Sequence, residues 1–208
     1  MHWAHEGAHL AGPRSVRTID VPDPEILEPT DAIVRITSTA ICGSDLHLLD
    51  VLGPFLHKGD VLGHEPMGVV VETGSAVSKI SIGDRVVIPF VIACGECYQC
   101  RRGFTTQCER TRTPGQDTGA SLYGYTELYG SVPGGQAEYL RVRLADANAM
   151  RITTDLPDER YLFLSDILPT AWQGCSTRTF RRAARSPCSA SAPSGSWSPA
   201  SAATSATT

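Results

Sequence analysis

The stretch DAIVRITSTA, residues 31–40, carries the pattern that decides the fold class. Its apolar residues Ala32, Val34 and Ile36 alternate with Arg35 and Thr37. This period of two is typical of a half-buried β-strand, because successive side chains of a strand point to opposite faces of the sheet. The stretch therefore predicts a strand with one face in the core.

Three further short runs have the same strand character, since they are rich in β-branched residues or follow glycine. They are MGVVVETG (67–74), DRVVIPFV (84–91) and GGQAEYLRVR (134–143). Between residues 14 and 143 no amphipathic helical period of useful length occurs. Residues 155–173 differ, because Asp155 is a possible cap and the following leucines suggest a helical face interrupted at Pro169. The chain is thus predicted to be mainly β with short helices, folded as an irregular, partly open antiparallel β-barrel.

Composition limits the class of partner. The 208 residues carry a formal charge of −4, and no basic stripe runs through the first 174, so nucleic acid is not an expected partner. No apolar run approaches the about 20 residues that a membrane span needs. The N-terminal MHWAHEGAHLAGPR has no apolar signal region, which predicts a cytoplasmic protein. The histidines His2, His5, His9 and His57 are expected to be solvated.

Seven cysteines occur, and four of them crowd into CGECYQCRRGFTTQC, residues 94–108. They are Cys94, Cys97, Cys100 and Cys108, with the spacing C-x2-C-x2-C-x7-C. Four thiolates complete the tetrahedral shell of a structural Zn²⁺ and leave no position for a substrate. An iron–sulfur cluster and a set of ordinary thiols are the alternatives. The residue after Cys108 is Glu109, where ferredoxin sequences continue with proline, so structural zinc is the prediction.

The next features are ICGSDLH, residues 41–47, and GHEPMG, residues 63–68. Each is weak evidence when it is taken alone. Together they resemble the zinc-dependent medium-chain alcohol dehydrogenases, in which a cysteine cluster like that at 94–108 holds the structural zinc. Further motifs resemble the subgroup near glutathione-independent formaldehyde dehydrogenase: STAICGSDLH, GPFLHKGDVLGHE, PFVIACGECYQCRRG, LYGSVPGGQAEYLRV and LFLSDILPTA. The resemblance runs from about Gly12 to Gly174 and implies the GroES-like catalytic domain of that family.

The resemblance also implies functional roles for individual residues. Cys42, His64 and Asp166 match the ligands of the catalytic zinc, and Glu65 matches a carboxylate that approaches the metal. Ser44 matches the hydroxyl that receives the proton of the alcohol, and His47 matches the imidazole that passes it to solvent. Cys42 as a small core residue, Asp166 as a helix cap and His47 as a surface histidine are the structural alternatives.

These residue types suit the chemistry that the resemblance implies. Three protein ligands leave one position on zinc open, where an alcohol binds and loses its proton more easily than in water. A hydride then passes to NAD(P), which is the expected cofactor beside one catalytic and one structural Zn²⁺. The implied substrate is a small alcohol or aldehyde, and members of the family are homo-oligomers.

Two places depart from the family pattern. The subgroup has a bulky apolar residue after GHE, whereas this chain has Pro66, which is expected to disturb the zinc geometry because proline fixes φ beside the ligand pair. Residues 1–13 match poorly, because family members open with a short β-strand that MHWAHEGAHLA does not resemble. The matching domain is therefore predicted to span residues 14–174.

The tail, residues 175–208, changes in character. It contains no Asp, Glu or Lys and four Arg, and Phe180 and Trp197 are its large apolar residues. Such a composition predicts disorder or translation out of frame. No G-x-G-x-x-G of a Rossmann cofactor domain follows Gly174. A frameshift near Gly174, a missing Rossmann domain and an inactive chain are therefore expected, and a non-enzymatic zinc-binding β module is the alternative.

Overall fold

A computed structural model of the protein describes residues 4–12 and 14–180. Over these residues the chain forms seven β-strands and four α-helices, joined by loops and short 3₁₀ turns. The strands are β1 (Ala4–Gly12), β2 (Ser15–Pro22), β3 (Ala32–Ala40), β4 (Glu65–Thr73), β5 (Arg85–Val87), β6 (Tyr139–Val142) and β7 (Met150–Ile152). The helices are α1 (Gly43–Asp50), α2 (Tyr98–Arg101), α3 (Ala145–Asn148) and α4 (Ile167–Phe180).

Five strands form one antiparallel sheet in the order β6-β3-β4-β5-β7, while β1 and β2 form a separate two-stranded hairpin. The main core lies on this sheet and includes Val34, Val70, Val86, Ile92 and Leu140, all buried. The four runs that the sequence analysis predicted as strands each overlap a strand of the sheet. The prediction of a mainly antiparallel β domain with short helices is confirmed.

The pairing of β3 with β4 leads the chain to the candidate site. Gly68 of β4 lies directly against β3, and a Cβ at this position would be 2.2 Å from the carbonyl oxygen of Arg35. The register shifts between Ile36 and Ser38, which is a local irregularity of the bulge type. After this irregularity Ala40 pairs with Glu65, so the end of β3 and the start of β4 lie side by side.

Residues 4–12 do form a strand, so the expectation that this segment does not resemble an opening β-strand was wrong. Residues of β1 pair along β2, with His5 opposite Val21 and His9 opposite Arg17. The alternate residues His5, Gly7 and His9 lie on one face of the strand. His5 and His9 are only 6% and 5% exposed, so the expectation that they are solvated was also wrong.

Pairing and packing outweighed the polar composition of this strand. His5 is satisfied through Nδ1, which lies 3.1 Å from Oδ1 of Asp23, and its ring packs edge-on against Tyr139. His57 is exposed, as predicted, and its Nε2 lies 2.9 Å from Oε2 of Glu127. His2 lies outside the described residues.

Two helical features also differ from the sequence prediction. Helix α1 occupies residues 43–50, where no helix of useful length was expected, because a single turn or two is too short to show a clear apolar period. Helix α4 begins at Ile167, so Pro169 lies in its first turn and does not interrupt it. Proline is tolerated there because the first N–H groups of a helix have no intrahelical partner. Asp155 lies in a loop and caps no helix.

Helix α4 continues through Gly174 to Phe180, so the change in composition after Gly174 does not coincide with the end of the helix. Residues 181–208, which make up most of the predicted tail and include Trp197, lie outside the described part of the chain. Within the described part, no helix has the length and apolar character needed to cross a membrane.

Candidate functional site

Four buried residues from three parts of the chain meet at the end of the sheet. Cys42 directly precedes α1, His64 and Glu65 lie at the start of β4, and Asp166 directly precedes α4. Each residue offers one possible ligand atom, and these atoms all lie within 4.8 Å of one another. The structure therefore brings together the three predicted zinc ligands and the predicted neighbouring carboxylate, with Pro66 in place.

His64 is oriented by contacts at both ring nitrogens. Its Nδ1 lies 3.1 Å from Oδ1 of Asp45, while its Nε2 faces the cluster, 3.4 Å from Oδ2 of Asp166 and 3.9 Å from Oε1 of Glu65. The ring is fully buried, and Nε2 has no hydrogen-bond partner with acceptable geometry. A buried nitrogen without a partner is costly, and a metal ion at the centre of the cluster would satisfy it.

The charges of the cluster also favour a cation. Burial and the nearby Asp166 raise the pKa of the Glu65 carboxyl. Burial also raises the pKa of Asp166, but the nearby His64 ring and a hydrogen bond from Thr170 outweigh it, so that the pKa of Asp166 is lowered. Among the described residues no Lys or Arg pairs with either carboxylate. Thiolate sulfur, imidazole nitrogen and carboxylate oxygen are the ligands that Zn²⁺ takes in catalytic sites, so this donor set fits zinc.

The protonation of His64 depends on this environment. Burial lowers the pKa of the imidazole, but the nearby carboxylates of Asp166 and Asp45 raise it, to about 10. The two carboxylates thus favour the protonated ring when no metal is bound. A zinc ligand must be a neutral imidazole, so a metal ion bound here would replace this proton.

Sequence reasoning missed three residues around His64. Asp45 bridges the cluster and α1, because its Oδ2 accepts the backbone N–H of Cys42 at 2.8 Å while its Oδ1 contacts His64. The rings of Phe90 and Tyr125 pack against the imidazole, with centroid distances of 5.9 and 5.2 Å. Asp45 lies inside the quoted ICGSDLH motif, where its spacing of three from Cys42 was the available signal.

Ser44 and His47 lie on α1, one turn apart. Ser44 is half-buried, and its Oγ lies 3.7 Å from the sulfur of Cys42. Burial raises the pKa of the Tyr125 hydroxyl well above its usual range, and a hydrogen bond with Ser44 opposes this shift. His47 is exposed, and no described side chain hydrogen-bonds to its ring. Ser44 thus lies beside the cluster and His47 at the surface, and the proton relay between them stays a prediction.

The second cluster is the four-cysteine lobe. One ligand atom from each of Cys94, Cys97, Cys100 and Cys108 lies within 4.8 Å of the others. The sulfurs of Cys94 and Cys100 are 3.9 Å apart and those of Cys97 and Cys108 are 4.0 Å apart. With Zn–S bonds of about 2.3 Å, a tetrahedral shell places its sulfurs about 3.8 Å apart. All four cysteines are free thiols, and so compact a cluster favours one ion over a larger iron–sulfur core.

Backbone N–H groups of the lobe donate hydrogen bonds to the cysteine sulfurs. The N–H of Cys97 donates to the sulfur of Cys94, and the N–H of Cys94 donates to that of Cys108, both at 3.3 Å. Burial raises the pKa of Cys108, but hydrogen bonds from Thr111 and from the Cys94 N–H lower it, to about 6. Burial and a hydrogen bond with Cys97 raise the pKa of Cys100 to about 12. The pKa values of these two thiols thus shift in opposite directions, and zinc would bind all four sulfurs as thiolates.

A protein-family comparison matches residues 28–153 to the alcohol dehydrogenase GroES-like domain. The chain belongs to the zinc-type alcohol dehydrogenase family. An uncharacterized zinc-type alcohol dehydrogenase-like protein of Bacillus subtilis is 46% identical over 163 residues, which cover 77% of this chain and 43% of the relative. The glutathione-independent formaldehyde dehydrogenase of Pseudomonas aeruginosa is 39% identical over 189 residues, which cover 83% of this chain and 45% of the relative.

Solved structures of the family have the same fold. The alcohol dehydrogenase from Thermus sp. ATN1 superposes with a TM-score of 0.75 and 38% identity, over 83% of this chain and 47% of that structure. The chain thus spans less than half the length of these relatives. The comparisons establish the family. They do not place the chain in a formaldehyde-specific subgroup, because the Bacillus subtilis relative, whose name gives no substrate, is more similar (46% identical) than the formaldehyde dehydrogenase (39% identical).

Proposed function

We propose that residues 14–174 form the zinc-binding catalytic part of an NAD(P)-dependent oxidoreductase that interconverts small alcohols and aldehydes. The observation that carries the proposal is the buried convergence of Cys42, His64, Glu65 and Asp166, with the unpartnered Nε2 of His64 facing inward. A purely structural cluster would not need an unpartnered imidazole beside two buried carboxyl groups. Membership of the zinc-type alcohol dehydrogenase family supports the same reading.

Cys42, His64 and Asp166 would hold the catalytic zinc. Bound there, zinc supplies a Lewis acid that lowers the pKa of a substrate hydroxyl and polarises a substrate carbonyl. Glu65 supplies a second carboxylate at 3.9 Å from His64 Nε2, close enough to compensate charge when the coordination changes. Asp45 orients the imidazole through Nδ1, so that Nε2 is the nitrogen directed at the metal.

Ser44 and His47 would carry the proton of the substrate. The Ser44 hydroxyl lies beside the cluster, and His47 lies one helical turn further towards solvent. A hydroxyl both accepts and donates a hydrogen bond, so Ser44 can take a proton from the substrate and pass one on. The exposed His47 imidazole would exchange that proton with water.

The shape of the site favours a small substrate. Phe90 and Tyr125 pack together at 6.0 Å between centroids and both contact His64, so aromatic rings occupy the space beside the ligand cluster. A formaldehyde-sized aldehyde or a short alcohol would fit beside such a wall. The name of the Pseudomonas aeruginosa relative, a formaldehyde dehydrogenase, supports this substrate class.

The four-cysteine lobe would hold a second, structural zinc. All four positions of a tetrahedral shell are filled by Cys94, Cys97, Cys100 and Cys108, so no position remains for a substrate. NAD(P) is proposed as the hydride acceptor because of the family, although no described residues form a G-x-G-x-x-G loop. Homo-oligomers are proposed on the same ground.

The first test is the metal content of the purified protein. Two zinc ions per chain are expected, with one lost on Cys42→Ser and the other on Cys100→Ser. A single zinc that survives Cys42→Ser and disappears with Cys100→Ser would contradict the catalytic site and favour a non-enzymatic zinc module.

Activity requires a second experiment. A polypeptide of these 208 residues is expected to bind zinc without oxidising alcohols or formaldehyde with NAD(P). A chimera of residues 14–174 with the part of the Bacillus subtilis relative that lies outside the match is expected to do so, and its His64→Ala variant is the matched control. Equal activity of the chimera and this variant would contradict the proposal.

A further inference from the structure

Two glycines bring the chain into backbone contact with Gly63, the residue before His64. A Cβ on Gly134 would lie 2.3 Å from the carbonyl oxygen of Gly63, and one on Gly124 would lie 2.5 Å from the same atom. Gly63 itself has a φ of +100°, and a Cβ there would lie 2.3 Å from the nitrogen of Gln136. Bare backbone is therefore required on both sides of this contact.

Gly135 is different, because it faces a side chain. A Cβ on Gly135 would lie 2.3 Å from Cβ and 2.6 Å from Cγ of Pro66. The Pro66 ring is closed onto its own backbone and cannot rotate away as a flexible side chain would. The ring and the bare Cα of Gly135 are therefore a matched pair.

Gly135 also contacts the chain on the other side of the metal ligands. Its N–H donates to the carbonyl oxygen of Gly63 at 2.8 Å. The same residue thus touches Gly63, directly before His64, and Pro66, directly after Glu65. Pro66 is also held by its backbone, because its carbonyl oxygen accepts a hydrogen bond from the N–H of Ile88 at 3.1 Å. Ile88 directly follows the last residue of β5.

We propose that Gly135 and Pro66 are positioning residues, which clamp the His64–Glu65 pair from both ends and set its place in the catalytic metal site. The inference rests on the zinc site of the proposed function. It gives Pro66 a role in the geometry, in place of the disturbance expected from the sequence. The clamp predicts that a single methyl group on Gly135 moves the ligand pair although it touches neither ligand.

The experiment compares wild type with Gly135→Ala after reconstitution with Co²⁺, whose absorption spectrum reports the ligand set at each site. Competition with a chelator gives the affinity of each site. We expect the affinity of the catalytic site to fall by about 10-fold or more, as for other residues that orient metal ligands. The four-cysteine site should keep its spectrum and affinity. Gly12→Ala is the matched control, because nothing lies within 4 Å of a Cβ at Gly12.

A rescue variant separates positioning from general loss of structure. Pro66→Gly removes the ring that the new methyl group would strike, so Gly135→Ala/Pro66→Gly should bind Co²⁺ at the catalytic site more tightly than Gly135→Ala alone. Equal affinity of wild type and Gly135→Ala would overturn the inference, as would equal losses at both metal sites without rescue.

Two further outcomes are informative. If Gly135→Ala does not fold, Pro66→Gly alone carries the test, with a several-fold loss at the catalytic site expected and no change overturning the clamp. If the wild type itself binds metal at the four-cysteine site alone, the proposed function is contradicted, and so is the positioning role of Gly135 and Pro66. Two metals in the wild type with an unaffected Gly135→Ala would overturn the clamp alone.

Discussion

The Nδ1 atom of His64 lies 3.1 Å from Oδ1 of Asp45, and this contact determines which ring nitrogen faces the metal ligands. The other carboxylate oxygen of Asp45 accepts the N–H of Cys42 at 2.8 Å. One buried side chain therefore orients two proposed ligands that directly precede different elements, α1 and β4. Fixing a ligand through its second hydrogen bond is how proteins tune metal sites in general.

Replacement of this carboxylate should weaken the catalytic site selectively. Asp45→Asn keeps the size of the side chain but removes the charge that holds the imidazole. We expect zinc affinity at this site to fall by about 10–100-fold, with the four-cysteine site unchanged. Site-resolved chelator competition measures the effect. Asp50→Asn, on the exposed part of the same helix, is the control, and an equal loss in that variant would argue against a specific role of Asp45.

Loss of the structural metal should affect stability. Cys108 is fully buried at the centre of the lobe, and its replacement by serine removes one of four sulfurs. We expect Cys108→Ser to lose one zinc and about 2 kcal/mol or more of stability, because metal binding is coupled to folding. For a chain of this size, that corresponds to a decrease in Tm of about 4–8 °C.

The matched variant for this experiment is Cys42→Ser. It should also lose one zinc, but the absorption spectrum of Co²⁺ bound at the four-cysteine site should stay unchanged. Thermal unfolding and metal analysis of both variants distinguish the sites. A Cys108→Ser protein with two zinc ions and an unchanged Tm would rule out the structural site.

Asp158 should make stability depend on acid pH. Burial raises its pKa, but hydrogen bonds from Thr37, Arg85 and Ser38 outweigh this and lower it below the ordinary value. Because the folded pKa lies below the unfolded one, the contribution to stability is complete above about pH 5. It is lost as the pH falls through the folded pKa.

Asp158→Asn should therefore cost about 1–2 kcal/mol at neutral pH, and the difference from wild type should shrink below pH 4. The free energy of unfolding in urea, measured from pH 7 to pH 3, tests this. Asp155→Asn, an exposed position in the same segment, is the control. A pH-independent difference between Asp158→Asn and wild type would refute the electrostatic explanation.

The reading frame after Gly174 is testable at the level of DNA. Because residues 175–208 contain Arg, Ser, Ala and Thr but no Asp, Glu or Lys, we expect another frame downstream of the Trp172 codon to encode a strand, G-x-G-x-x-G and a helix. Resequencing the codons from Trp172 to Pro187, followed by translation in all three frames, settles the question. If no frame encodes this pattern, the tail is genuine.

Some of the fold and site could be predicted because the signals are local. The strand of DAIVRITSTA follows from its own alternation, and the four-cysteine lobe follows from spacing within a short loop. Helix α1 and strand β1 could not be predicted in this way. The first is too short to show a period, and the second has a polar composition that pairing with β2 and packing of His5 and His9 overrode.

The sequence by itself determined the residue types of both proposed metal sites and, through resemblance, the family. Only the tertiary structure decided which atoms meet. Asp166 joins Cys42 and His64 because α4 begins beside the end of the sheet, and Asp45 selects the His64 nitrogen that faces them. Likewise, the contact of Pro66 with Gly135 joins distant parts of the chain. The physical reason is that ligand convergence and close backbone contact depend on long-range packing, which leaves no periodic signal in the sequence.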